Sequence, residues 1–143
     1  MLKGIPAILS PDLMKLMMEM GHGDEIVIGD ANFPAVACAQ RLVRCDGHAA
    51  ADVLGAMLQF LPLDYAVERP AAVMALLPGD SRPPVWDTYR QIIARHEPHF
   101  TDFEYVERFE FYERTKRAFA VVATGDQSFK ANLLLKKGVY RES

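Results

Sequence analysis

Fourteen residues near the start of the chain, Gly21-His22-Gly23-Asp24-Glu25-Ile26-Val27-Ile28-Gly29-Asp30-Ala31-Asn32-Phe33-Pro34, constrain its fold more than any other stretch. Ile26, Val27 and Ile28 are an apolar, β-branched run with turn signals on both sides. That pattern predicts a strand buried on both faces. His22 precedes the strand and Asp30 follows it, so the two sit at opposite ends, about 25 Å apart at ~3.3 Å per residue. One chain cannot join them without folding back, and a shared site calls for a neighbouring subunit. Taken locally, both residues also suit ordinary turns.

The flanking chain alternates helices with strands. Ser10 is a good N-cap, Pro11 suits the first helical position, and Leu13, Leu16, Met17 and Met20 recur at helical spacing over 11–20. Gly21 ends that helix, and its methionines read as core packing. A short helix is expected at about 34–40, a strand at 41–45 and a helix at about 49–61. Ala72 to Leu77 reads as a third buried strand, followed by the loop 78–84 and a helix near 85–96 with Trp86, Tyr89, Ile92 and Ile93 inward. A short strand at 103–106, one or two helical turns at 109–114 and strands at 118–124 and 132–136 complete the pattern. Alternation of this kind predicts a layered α/β fold with a mainly parallel sheet. The short link between the last two strands suggests that they pair antiparallel, making the sheet mixed. The 143 residues read as one domain, 1–143, with no internal repeat.

Composition narrows the function classes. Half the residues are hydrophobic, a quarter are charged and the net charge is −3. No basic field calls for nucleic acid or an anionic membrane. The start, Met1 to Pro6, reads as neither signal peptide nor transmembrane helix. Cys38 and Cys45 are too far apart for a C-x-x-C motif and suggest buried thiols in a reducing cytoplasm. His96-Glu97-Pro98-His99 is not the helical zinc motif and reads as a solvated loop. Gly21-His22-Gly23 lacks the dinucleotide pattern and follows a helix where that motif follows a strand. No P-loop, G-x-S-x-G or kinase motif is present. Read this far, the chain is an α/β domain without an assigned activity.

Leu2-Lys3-Gly4-Ile5-Pro6, Leu9-Ser10-Pro11, Gly21 to Ile26, Asp30-Ala31-Asn32-Phe33-Pro34, Arg108 to Arg114 and Ala131 to Val139 add a further reading. In this order and spacing they resemble the L-fucose mutarotase and D-ribose pyranase family, nearly from end to end. Arg108 and the Phe-Tyr-Glu-Arg segment resemble its fucose branch. The resemblance implies a three-layer α/β/α fold with a mixed sheet. It also implies a homo-oligomer, a ring-shaped decamer with sites between neighbouring subunits. The implied reaction interconverts sugar anomers, L-fucose foremost, through the open-chain aldehyde. Such a reaction needs a base for the anomeric hydroxyl proton and an acid for the ring oxygen, and no metal or other cofactor. A histidine, with an ordinary pKa near ~6.5, suits either step.

By the same resemblance His22 is the proton donor and Tyr112 a second proton-transfer group. Asp30, Asp64, Arg108, Lys130 and Asn132 fall on the positions that bind and orient sugar hydroxyls. Read without it, Asp64 is a turn residue, Arg108 a surface ion pair, Tyr112 a core aromatic and Asn132 a strand-edge cap. One position departs from the family pattern. Lys130 stands where tyrosine is usual, two residues before Asn132. Charged lysine accepts no hydrogen bond and has no ring to stack on a sugar, while Phe129 beside it does have one. Lys130 therefore favours an alternative in which the chain binds a monosaccharide, or serves transport, without catalysis. A scaffold with no sugar site is the third reading.

Overall fold

The computed structural model describes residues 1–142. The elements run α1 (Pro11–Glu19), β1 (Glu25–Gly29), α2 (Ala35–Cys38), β2 (Leu42–Cys45), α3 (Ala50–Leu58) and β3 (Ala71–Met74). They continue with α4 (Pro84–His96), β4 (Glu104–Val106), α5 (Arg108–Arg117), β5 (Ala120–Thr124) and β6 (Leu133–Lys136).

β1 lies inside the sheet, whose strand order is β2-β5-β1-β6-β3-β4. It pairs parallel with β5 and antiparallel with β6, and β3 likewise pairs antiparallel with β6. Five strands therefore point one way and β6 alone runs back. Ile26 and Ile28 face a layer made by α1, α3 and α4, in one core with Leu13, Leu54, Trp86 and Ile93. Val27 faces the opposite layer of α2 and α5, with Phe33, Phe111 and Leu134. That is the three-layer arrangement with a mixed sheet, and the alternation along β1 follows from the two-residue period of a strand. Covering both faces requires apolar residues at every position, which is why the run Ile26-Val27-Ile28 is unbroken.

Several boundaries differ from the sequence expectation. The last two strands do not pair, because β1 lies between them. The link 125–132 passes over the end of β1 and is held there: Ala31 N–H donates to the Asp126 carbonyl at 2.7 Å and Asp30 N–H to Asn132 Oδ1 at 2.8 Å. β3 ends at Met74 and not at Leu77. Its neighbour β4 runs out at Val106, whose carbonyl accepts the Ala75 N–H at 2.8 Å, and beyond it no strand remains to pair with. α3 ends at Leu58, three residues early, although Leu61 stays buried. α5 is longer than one or two turns. Its weak apolar stripe hides it in sequence. Glu107 caps it by accepting the Glu110 N–H at 3.0 Å, and Arg114 ties it to Glu25 and Glu104 at 2.7 and 2.8 Å. Glu97 is buried at the end of α4, contrary to the solvated-loop reading, whereas His96 and His99 are exposed. Cys38 and Cys45 are buried free thiols.

Candidate active site

The single reversed strand sorts the polar residues to the two ends of the sheet. Asp30 follows β1, Asp80 follows β3, Arg108 follows β4 and Asn132 precedes the antiparallel β6. All four are therefore at one end, the carboxyl end of the five parallel strands. Ligands of open α/β sheets bind at such an end. Here a cavity of about 470 Å³ is lined by Asp30, Phe33, Asp80, Arg108, Tyr112, Phe129, Lys130 and Asn132 among others. His22 precedes β1 and Asp64 precedes β3, so both belong to the opposite end. The expected separation of His22 from Asp30 is real.

Each wall of the cavity has a local cause. Gly29 ends β1, and a Cβ there would lie 2.9 Å from the Phe33 ring, so only glycine lets the turn fold back on the strand. That turn leaves Asp30 half-buried, with Oδ1 accepting the Asn32 N–H at 2.9 Å. Burial raises the Asp30 pKa, against the pull of the Asn32 and Phe33 amides, and the charge on Asp126 adds to the rise. Arg108 and Tyr112 stand one turn apart on α5, where residues four apart share a face. Arg108 Nε donates to the Tyr112 hydroxyl oxygen at 3.2 Å. Asn132 is 5% exposed and spends its carbonyl on the backbone of Asp30.

Lys130 has φ 49°, the one non-glycine residue among those described with a positive φ. For a non-glycine residue such a backbone costs about 1–2 kcal/mol. Two donors from α4 hold it in place: Trp86 Nε1 donates to the Lys130 carbonyl at 2.9 Å and Tyr89 Oη to the Ala131 carbonyl at 2.7 Å. The Lys130 ammonium turns to the protein, donating to the Ala75 carbonyl at 2.8 Å and to Asp80 Oδ2 at 3.1 Å. Asp80 was not singled out by sequence; a charged residue just past the carboxyl end of a buried strand is the signal that marks it.

At the other end, His22 Nε2 lies 3.0 Å from Asp64 Oδ1. Burial pushes the Asp64 pKa up, but the Ala66 N–H and the His22 ring outweigh it and hold the carboxyl below its ordinary value. An ionised carboxylate only accepts, so the proton of the shared bond belongs to Nε2. In the neutral ring Nδ1 is then a free acceptor, and in the cation a free donor. Asp64 thus orients His22. Glu97 reaches the same cleft, which Tyr65 and the tail residues Val139 to Arg141 also line. Among the described residues no cluster of three or more His, Cys, Asp or Glu is arranged to hold a metal ion, and no helix is long and apolar enough to cross a membrane.

The model of the RbsD / FucU transport protein family matches residues 3–140. The chain belongs to this family. Among its relatives, the fucose mutarotase of Homo sapiens is 50% identical over 145 residues, covering 96% of this chain and 94% of the relative. The L-fucose mutarotase of Actinobacillus pleuropneumoniae is 43% identical, with 97% of each chain covered. The fucose mutarotase of Streptococcus pneumoniae, solved in complex with L-fucose, superposes with a TM-score of 0.91 at 50% identity, over 98% of this chain and 100% of the other. The RbsD of Bacillus subtilis superposes with a TM-score of 0.69 at 24% identity and shares the fold.

Proposed function

We propose that this protein is a monosaccharide mutarotase acting on L-fucose, an isomerase that interconverts anomers through ring opening. The observation that supports it best is the convergence of Asp30, Arg108, Tyr112 and Asn132 on one cavity, in a chain half identical to a protein solved with L-fucose. Those groups suit a neutral polyol: Asp30 accepts hydroxyl protons, Arg108 donates to hydroxyl oxygens, and Asn132 stiffens the turn that carries Asp30. Tyr112 takes the anomeric hydroxyl proton when it reacts as the phenolate, becoming the neutral phenol, with Arg108 Nε against its oxygen. His22 gives its Nδ1 proton to the ring oxygen as the bond between C1 and that oxygen breaks and C1 becomes an aldehyde. Rotation about the C1–C2 bond and reclosure, with both protons returned, yields the other anomer.

Since His22 and Asp30 occupy opposite ends of the sheet, one site takes His22 from one copy and the cavity from its neighbour. A homo-oligomeric ring, the decamer implied by the family, closes such a head-to-tail contact. A cytoplasmic location fits the two free thiols.

Anomer-exchange NMR on a panel of L-fucose, D-ribose, D-galactose and L-rhamnose tests the activity. Fastest exchange on L-fucose is expected, and no exchange on any of them removes the proposal. Mixed oligomers test the shared site. His22→Ala and Arg108→Ala copies, each poor alone, regain activity when assembled together; failure to regain it would place the whole site in one subunit. A 16 kDa species in light scattering would exclude the ring.

A further inference from the structure

Two large apolar side chains stand open on the rim of the cavity, Leu77 and Phe129, and Phe129, 54% exposed, is the one with a flat ring. The polar lining groups Asp30, Arg108 and Tyr112 address the hydroxyl edge of a sugar, and Phe33 and Met74 close the cavity floor. A pyranose also has a face of C–H bonds, and in L-fucose the C6 methyl extends it. Apolar and aromatic walls take such faces, with a few polar groups fixing orientation. The Lys130 ammonium is not free to serve the ligand. It is bonded to the Ala75 carbonyl and Asp80 and its side chain is 13% exposed.

Resting on the mutarotase reading, we propose that Phe129 is the stacking platform for the sugar's C–H face and that the Lys130–Asp80 pair positions it. Asp80 Oδ2 accepts both the Leu77 N–H, at 2.8 Å, and the Lys130 ammonium, at 3.1 Å. The pair thus ties the loop after β3 to the loop before β6 across the cavity mouth. The Lys130 Nζ lies 5.6 Å from the centre of the Phe129 ring, within range of a cation–π contact. The left-handed backbone at Lys130 turns one neighbour, Phe129, outward and the other, Ala131, inward. Phe129 is a binding residue in this arrangement, and Lys130 and Asp80 are positioning residues.

The test measures L-fucose and D-arabinose in parallel, by equilibrium titration and anomer-exchange NMR. D-arabinopyranose has the ring configuration of L-fucose without the methyl. Phe129→Ala is expected to raise Kd and KM for L-fucose by about tenfold, with the loss on KM larger than on kcat. The preference for L-fucose over D-arabinose shrinks as well, because the methyl has lost its partner. Phe129→Trp restores most of the affinity. Lys130→Met, which keeps the stem and removes the ammonium, gives a smaller KM rise of the same kind, and Lys130→Arg rescues it. Wild-type protein that binds L-fucose while Phe129→Ala binds it equally, with the same sugar preference, overturns the stacking role and leaves the mutarotase reading standing. Wild-type protein that binds neither sugar overturns both.

Discussion

His22 Nε2 and Asp64 Oδ1 are 3.0 Å apart although 42 residues separate them in the chain. The contact ties the turn before β1 to the turn before β3, and it leaves Nδ1 as the one ring nitrogen free to exchange a proton with a ligand. His22 sits between two glycines and is half open to solvent, so truncating it leaves no large cavity.

His22→Ala is accordingly expected to slow anomer exchange by about 10²–10⁴-fold, the usual contribution of a positioned acid–base group, with the fold and assembly intact. Asp64→Asn keeps the ring and loosens its aim, and the loss is smaller, up to about 10²-fold. Line-shape NMR on the anomeric signals measures both. Exchange at the wild-type rate in His22→Ala would reduce His22 to a turn residue.

The same pair has a signature in acid. The Asp64 carboxyl is held below 3.8 in the folded protein, so the unfolded chain binds that proton more readily. Its contribution to stability is complete above pH 3.8 and disappears as pH falls through the folded value. In thermal melts across acid pH, the Tm gap between wild type and Asp64→Asn should therefore close below pH 3.8. A gap that stays constant would mean that the ionised pair adds nothing.

Asp30 has the opposite sign. Burial disfavours its charge in the fold, so its ionised form costs stability at neutral pH. Asp30→Asn keeps an acceptor for the Asn32 N–H, and its Tm should equal or exceed that of wild type while its affinity for L-fucose drops. Stability given up for binding is common at functional sites. A clear fall in Tm would show that the carboxylate is mainly structural.

Glu97 is buried. It accepts the Leu63 N–H at 2.9 Å through Oε1, while Oε2 has no partner in hydrogen-bonding geometry. The negative charge of the carboxylate near Tyr65, together with partial desolvation, pushes that phenol up to about 12. Glu97→Gln should return the Tyr65 titration toward its ordinary value of 10.0, read as phenolate absorbance against the Tyr65→Phe variant. An unchanged titration would show that the two side chains do not interact.

Much of this was legible in the residues. The helix 11–20 carried its cap, its proline and its apolar spacing, all local signals. β1 declared itself by an apolar run that only a two-sided core accommodates. The motifs around His22, Asp30, Arg108 and Asn132 pointed to the family by their order. What local patterns could not show is which strands lie side by side. Whether β6 pairs with β5 or inserts between β1 and β3 depends on contacts distant in sequence, and a short link satisfies either arrangement. The reach of β3 likewise depends on where β4 ends.

The functional site divides along the same line. From sequence alone came the residue types and the fact that a strand separates His22 from Asp30, because strand geometry is set by the backbone. Only the tertiary structure decided that Asp64 orients His22, that Asp80 neutralises Lys130 and that Phe129 stands open at the cavity rim. Each of these rests on side chains brought together by sheet order, and sheet order is a property of the whole core and of no single stretch.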